Sequence, residues 1–143
     1  MTRPWLVAAV IGIGTACCPI PVPRQVSVRP RFEVSVVDAA GAGVPGATVT
    51  LMRRIEAPPP DEEIARWTAT TDPAGLAVFD ALEATEGTYP LMMHGVVFYG
   101  WVACAESSLG AGSVSVPSTQ AVMPPQAVRV VLTAGSTCPA PPP

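Results

Sequence analysis

The stretch VSVVDAAGAGVPGATVTLMRR, Val34 to Arg54, decides the fold. Extended just upstream, Phe32, Val34 and Val36 alternate with Glu33, Ser35 and Val37, the period of a half-buried strand. Ala39 to Gly46 then supplies a turn rich in Gly and Pro. The chain resumes with Ala47, Val49 and Leu51 on one face and Thr48, Thr50 and Met52 on the other. A second stretch, TATTDPAGLAVFDAL from Thr68 to Leu82, repeats the scheme. Asp72-Pro73-Ala74-Gly75 has the chemistry of a tight turn, because Pro presets φ and Gly tolerates positive φ. Strands are expected at Arg66 to Thr71, with Trp67 as the large apolar residue, and at Leu76 to Phe79.

Working outward, Ile55 to Ala65 carries three consecutive prolines and Asp61-Glu62-Glu63, and reads as a long exposed loop. Strands are expected at Thr88 to Met93 and Val96 to Ala103. The run VVFYGWVAC, dense in β-branched and aromatic residues, should be a central strand. Ser113 to Val116 is a candidate edge strand inside a Gly/Ser/Pro-rich segment. Val128, Val130 and Leu132 alternate in a last strand over Gln126 to Thr133. No segment sustains a helical period. Seven or eight short strands divided by turns imply a single all-β, antiparallel sandwich.

The diagnostic positions are Asp38, Gly41, Val44-Pro45-Gly46-Ala47, Val49, Leu51, Thr71-Asp72, Gly75 and Phe79, followed by Glu86-Gly87-Thr88-Tyr89. In these the chain resembles a carboxypeptidase regulatory-like domain, a small transthyretin-like (Ig-like) β-sandwich. The resemblance covers Phe32 to Met93 and implies a module without catalytic residues of its own. The segment after Cys104 and the insertion at Ile55 to Ala65 depart from the compact family pattern.

At 143 residues the chain accommodates one domain with a real core. The formal net charge is -3 and no basic cluster occurs, which argues against nucleic acid as a partner. All eight basic residues are Arg; Lys and Asn are absent. An intramolecular Lys–Asn isopeptide bond and N-glycosylation are therefore both excluded.

The N-terminus reads as an export signal over residues 1–16. Arg3 supplies the positive charge, Trp5 to Ile13 the apolar stretch, and Gly14, Thr15 and Ala16 the small residues before Cys17. The apolar run falls short of the ~20 residues of a membrane-spanning helix. Two cleavages are compatible with it. Signal peptidase I accepts Gly14 and Ala16, giving a secreted protein. Ala16-Cys17 also resembles a bacterial lipobox, although Gly14 departs from the usual aliphatic residue, and this implies lipidation of Cys17. Lipidation places the protein in the outer membrane or periplasm, held to the membrane by its N-terminal lipid. Residues 17–30, rich in Pro, then read as a tether, residues 31–134 as the sandwich, and residues 135–143 as a Pro-rich tail.

Export allows disulfides. Cys17, Cys18, Cys104 and Cys138 permit three connectivities, and spacing alone does not choose among them. If Cys17 carries lipid, Cys104 with Cys138 is the natural pair. It would close a loop of about 34 residues, worth about 3–4 kcal/mol. A buried free thiol at Cys104 is the alternative.

Chemistry-bearing clusters are few. His94 is the one histidine and has no metal-binding motif around it, so no metal or other cofactor is expected. A serine hydrolase would have to draw on Ser107, Ser108 or Ser113 with His94 as base, and no G-x-S-x-G occurs. Transthyretin-like hydrolases carry an early His and a C-terminal Tyr-Arg-Gly-Ser motif, and this chain has neither. Asp61-Glu62-Glu63 reads as a solvated loop tip in preference to a calcium site. Tyr99 and Trp101 share one strand face and form a candidate ligand face, with core packing as the competing use of both. The expectation is a non-enzymatic structural or binding module of the bacterial cell envelope, whose partner is an envelope protein or glycan. A surface carbohydrate- or peptide-binding protein is the alternative, and a transthyretin-like hydrolase a distant one.

Overall fold

The computed structural model describes residues 22–55, 62–88, 99–117 and 123–140. Among them every regular element is a strand. These are β1 (Val22–Arg29), β2 (Phe32–Val37), β3 (Thr48–Ile55), β4 (Glu62–Thr70), β5 (Leu76–Phe79), β6 (Leu82–Thr88), β7 (Tyr99–Ser107), β8 (Gly110–Pro117) and β9 (Gln126–Val131). They form a four-stranded sheet in the order β4-β3-β7-β8, a three-stranded sheet β5-β2-β9, and a two-stranded ribbon β1-β6.

The two larger sheets share one core, as the alternating hydrophobes require. Phe32, Val34 and Val36 of β2, with Val128 and Val130 of β9, meet Val49 and Leu51 of β3 and Trp101, Ala103 and Ala105 of β7. As expected, the Tyr99–Ser107 strand is central, lying between β3 and β8.

The described residues hold nine strands where seven or eight were expected of the chain, and not all pairings are antiparallel. β2 and β9 run parallel, with Val34 beside Val128 and Val36 beside Val130. The sequence distance between them lets β9 enter in the same direction, and the register still sends both valine sets inward. β4 begins at Glu62, inside the segment expected to be loop, because Glu62 and Glu63 pair with Ile55 and Arg54 of β3.

Within the Pro-rich segment 17–30, residues 22–29 are strand β1, paired with β6. The ribbon continues the β2–β5 ladder: Phe32 faces Phe79, and three residues before the one and three after the other, Arg29 faces Leu82. Pro30 interrupts the ladder because it has no N–H to donate. Arg29 bridges the kink, its Nε and one terminal nitrogen donating to the Asp80 carbonyl at 3.0 and 2.7 Å. Arg31 spans the same corner through Glu33 and Asp80.

At the other end of the sandwich the chain crosses between sheets. The Leu132 N–H still donates to Val37 of β2, and the next residue, Thr133, bridges Ala111 of β8. This crossing brings the Val131 backbone against Gly112, where a side chain has no room. The tail then reaches Cys138, which is disulfide-bonded to Cys104 with Cα atoms 5.8 Å apart.

Candidate functional site

Two of the turns expected from the sequence, around Asp38 and around Asp72, meet at one pole of the sandwich. The Asp38 carboxylate accepts from the Ala40 and Ala42 N–H groups, both at 2.9 Å. Asp72 does the same for Ala74 and Leu76, at 2.8 and 2.9 Å. Each Asp thus takes over the turn's own amides, the local bonding that makes Asp a turn residue. Thr71 ties the two turns together. Its buried hydroxyl donates to the Val44 carbonyl at 2.7 Å and accepts from the Ala47 N–H at 2.9 Å. Gly75, at φ 80°, sits where a Cβ would lie 2.6 Å from the Val44 nitrogen. The Val36 N–H donates to its carbonyl. Every polar side chain named here is occupied by backbone, so the pole is built for shape.

The kinked end is chemically richer. Trp101 is only 3% exposed and lies between Phe32, 5.1 Å away and tilted, and Trp67, 5.9 Å away and stacked. Two guanidinium groups close over this aromatic row. Arg53 lies 3.7 Å from the Tyr99 ring centroid and 5.7 Å from that of Trp101. Arg29 lies 4.9 Å from Trp67 and 5.7 Å from Phe79. Burial pulls both guanidinium groups below their ordinary value. Tyr99 and then Glu86 oppose this at Arg53, and Asp80 opposes it at Arg29. The buried Nε of Arg53 has no hydrogen-bond partner among the described residues, where the ring faces are its principal compensation.

Trp101 is therefore core and not an accessible platform, which removes it from the candidate ligand face. Tyr99 is half-buried beneath Arg53. The sequence placed both residues on one strand face correctly; it gave no sign that Arg53, inward-facing at the end of β3, would cap them. The alternation Val49, Leu51, Arg53 puts a cation on the core face of β3 but does not say which rings that cation meets.

The acidic triplet also resolves differently from the expected loop tip. Glu63 lies on β4 and binds Arg66 through both carboxylate oxygens, at 2.7 and 2.9 Å. That hydrogen-bonded guanidinium holds the Glu63 carboxyl below its ordinary value, with burial opposing it. Arg66 also donates to the Pro139 and Ala140 carbonyls of the tail, each at 3.2 Å, and contacts the Met52 sulfur. Ser113 stands on the outer face of β8 opposite Cys104, and the Ser107 hydroxyl accepts from the Leu109 N–H at 3.1 Å. Among the described residues no three His, Cys, Asp or Glu side chains gather as a metal site. Cys17, Cys18, Asp61 and His94 lie outside the described residues. The Cys104–Cys138 bond fits an oxidising compartment. No protein-family model matches the chain, and no curated protein matches it.

Proposed function

We propose that this chain is a non-catalytic structural or binding module of the bacterial cell envelope. Its sandwich is of the carboxypeptidase regulatory-like type, and it is held to the membrane by a lipid on Cys17. The observation that carries the reading is the use of the motif residues. Asp38, Thr71 and Asp72 spend their hydrogen-bonding capacity on the turns of one pole. Residues committed to backbone in this way serve architecture, and an architectural module needs a means of placement. The export signal and Cys17 supply one. The disulfide supports the same compartment.

Intact-mass measurement of detergent-extracted protein tests the anchor. The expected species begins at Cys17 and carries a diacylglycerol adduct. An unmodified Cys17 terminus, with the protein in the soluble fraction, would remove the membrane anchor from the proposal.

A further inference from the structure

The C-terminal tail is attached differently from any strand. Beyond the bridge between Thr133 and Ala111, no backbone hydrogen bond ties residues 137–140 to a strand among the described residues. Two attachments remain: the Cys104–Cys138 bond and the Arg66 guanidinium on the Pro139 and Ala140 carbonyls. Cys104 itself belongs to β7, whose ladders to β3 and β8 run the length of the strand and do not depend on the disulfide. The two cysteines also differ in exposure. Cys104 is 1% exposed, on the sheet face opposite the core, whereas Cys138 is half-buried on the tail.

We infer that residues 134–140 form a redox-releasable strap, opened by a dithiol reductant that attacks at Cys138 while the sandwich stays folded. Thiolate exchange requires access to the sulfur being attacked, and Cys138 is the more exposed residue of the pair. A reductant thiolate bonds to the Cys138 sulfur, the bond to Cys104 breaks, and the Cys104 sulfur leaves as a thiolate that takes a proton from water. The reductant's second thiol then displaces Cys138 as a thiol, leaving the reductant as the disulfide. Two electrons pass from the dithiol to the protein. What then holds the tail is one side chain's bonds to two carbonyls at the surface, a weak tie beside a strand ladder. Release frees Arg66 from the tail and uncovers the sheet face around Cys104.

The monothiol glutathione, applied to the folded full chain, stops the reaction at the mixed disulfide. After rapid acid quench and alkylation, peptide mapping should find glutathione on Cys138 at least tenfold over Cys104. With a small dithiol in place of glutathione, the backbone NMR order parameters of Thr137, Cys138 and Ala140 should fall below about 0.6. The amides of β3 and β7 should keep their protection. An adduct chiefly on Cys104, resistance of the folded protein to reduction, a tail as ordered after reduction as before it, or loss of protection in β7 would each overturn the strap. Cys138→Ser provides a second route without reductant. It should free the tail and leave β7 protected, and loss of β7 protection in that variant overturns the inference equally.

Discussion

Gly46 and Gly75 both adopt positive φ, at 71° and 80°, yet their surroundings separate them. A Cβ on Gly46 meets nothing within 4 Å, whereas one on Gly75 meets backbone of Val44, Val36 and Gly43 at 2.6–2.8 Å. Gly46→Ala should therefore cost only the left-handed backbone term, about 1–2 kcal/mol. Gly75→Ala should cost clearly more, because two backbone segments must move apart. Urea denaturation of both variants checks the order, and equal midpoints would contradict it. Glu63 makes a prediction in pH. Its folded pKa lies below the unfolded value because Arg66 binds the carboxylate. The stability this adds is fully present above the unfolded pKa and is lost as pH falls through the folded one. Glu63→Gln should lower stability by about 1–2 kcal/mol at neutral pH. The gap from the parent should close in acid, and a gap independent of pH would show that the ion pair is not its source. At this scale Asp72 and Gly75 were legible because turn chemistry is local. Arg53 over Tyr99 was not, because that contact joins neighbouring strands β3 and β7, distant in sequence.

Among the elements, β2 and β5 were readable from alternation, since each has one face in the core and one outside. The same period made β3 readable, although Thr50 and Met52 on its second face are buried too. β6 was not: LEATEGT offers only Leu82 and Ala84 as apolar residues. It is a strand because β1 pairs with it, and β1 was hidden behind Pro23 and Pro30. A two-stranded ribbon is marginal without packing. The amides of β1 and β6 should therefore exchange faster than those of β3 and β7, by an order of magnitude or more. Arg29→Ala, which removes the bonds to the Asp80 carbonyl and the contact with Trp67, should widen that difference. Uniform protection across the ribbon and the central strands would show that the ribbon is bound more firmly than its single ladder accounts for.

For the whole molecule, the disulfide is the one covalent long-range constraint among the described residues, joining positions 34 apart. Its reduction should lower the stability of the sandwich by about 3–4 kcal/mol through the unfolded state, with the transition remaining cooperative. The urea midpoint with and without reductant measures this; an unchanged midpoint would mean that the closed loop adds nothing. By itself the sequence determined the all-β class, the turns at Ala39 to Gly46 and Asp72 to Gly75, and the inward set Phe32, Val34, Val36, Val49 and Leu51. Each of these follows from residues a few positions apart, where steric preference and the two-residue period act directly. Only the tertiary structure decided that β9 lies parallel to β2, that Trp101 is enclosed, and which of three connectivities Cys104 takes. Those outcomes depend on which distant segments meet, and that is settled by the burial of shared surface, which no local pattern encodes.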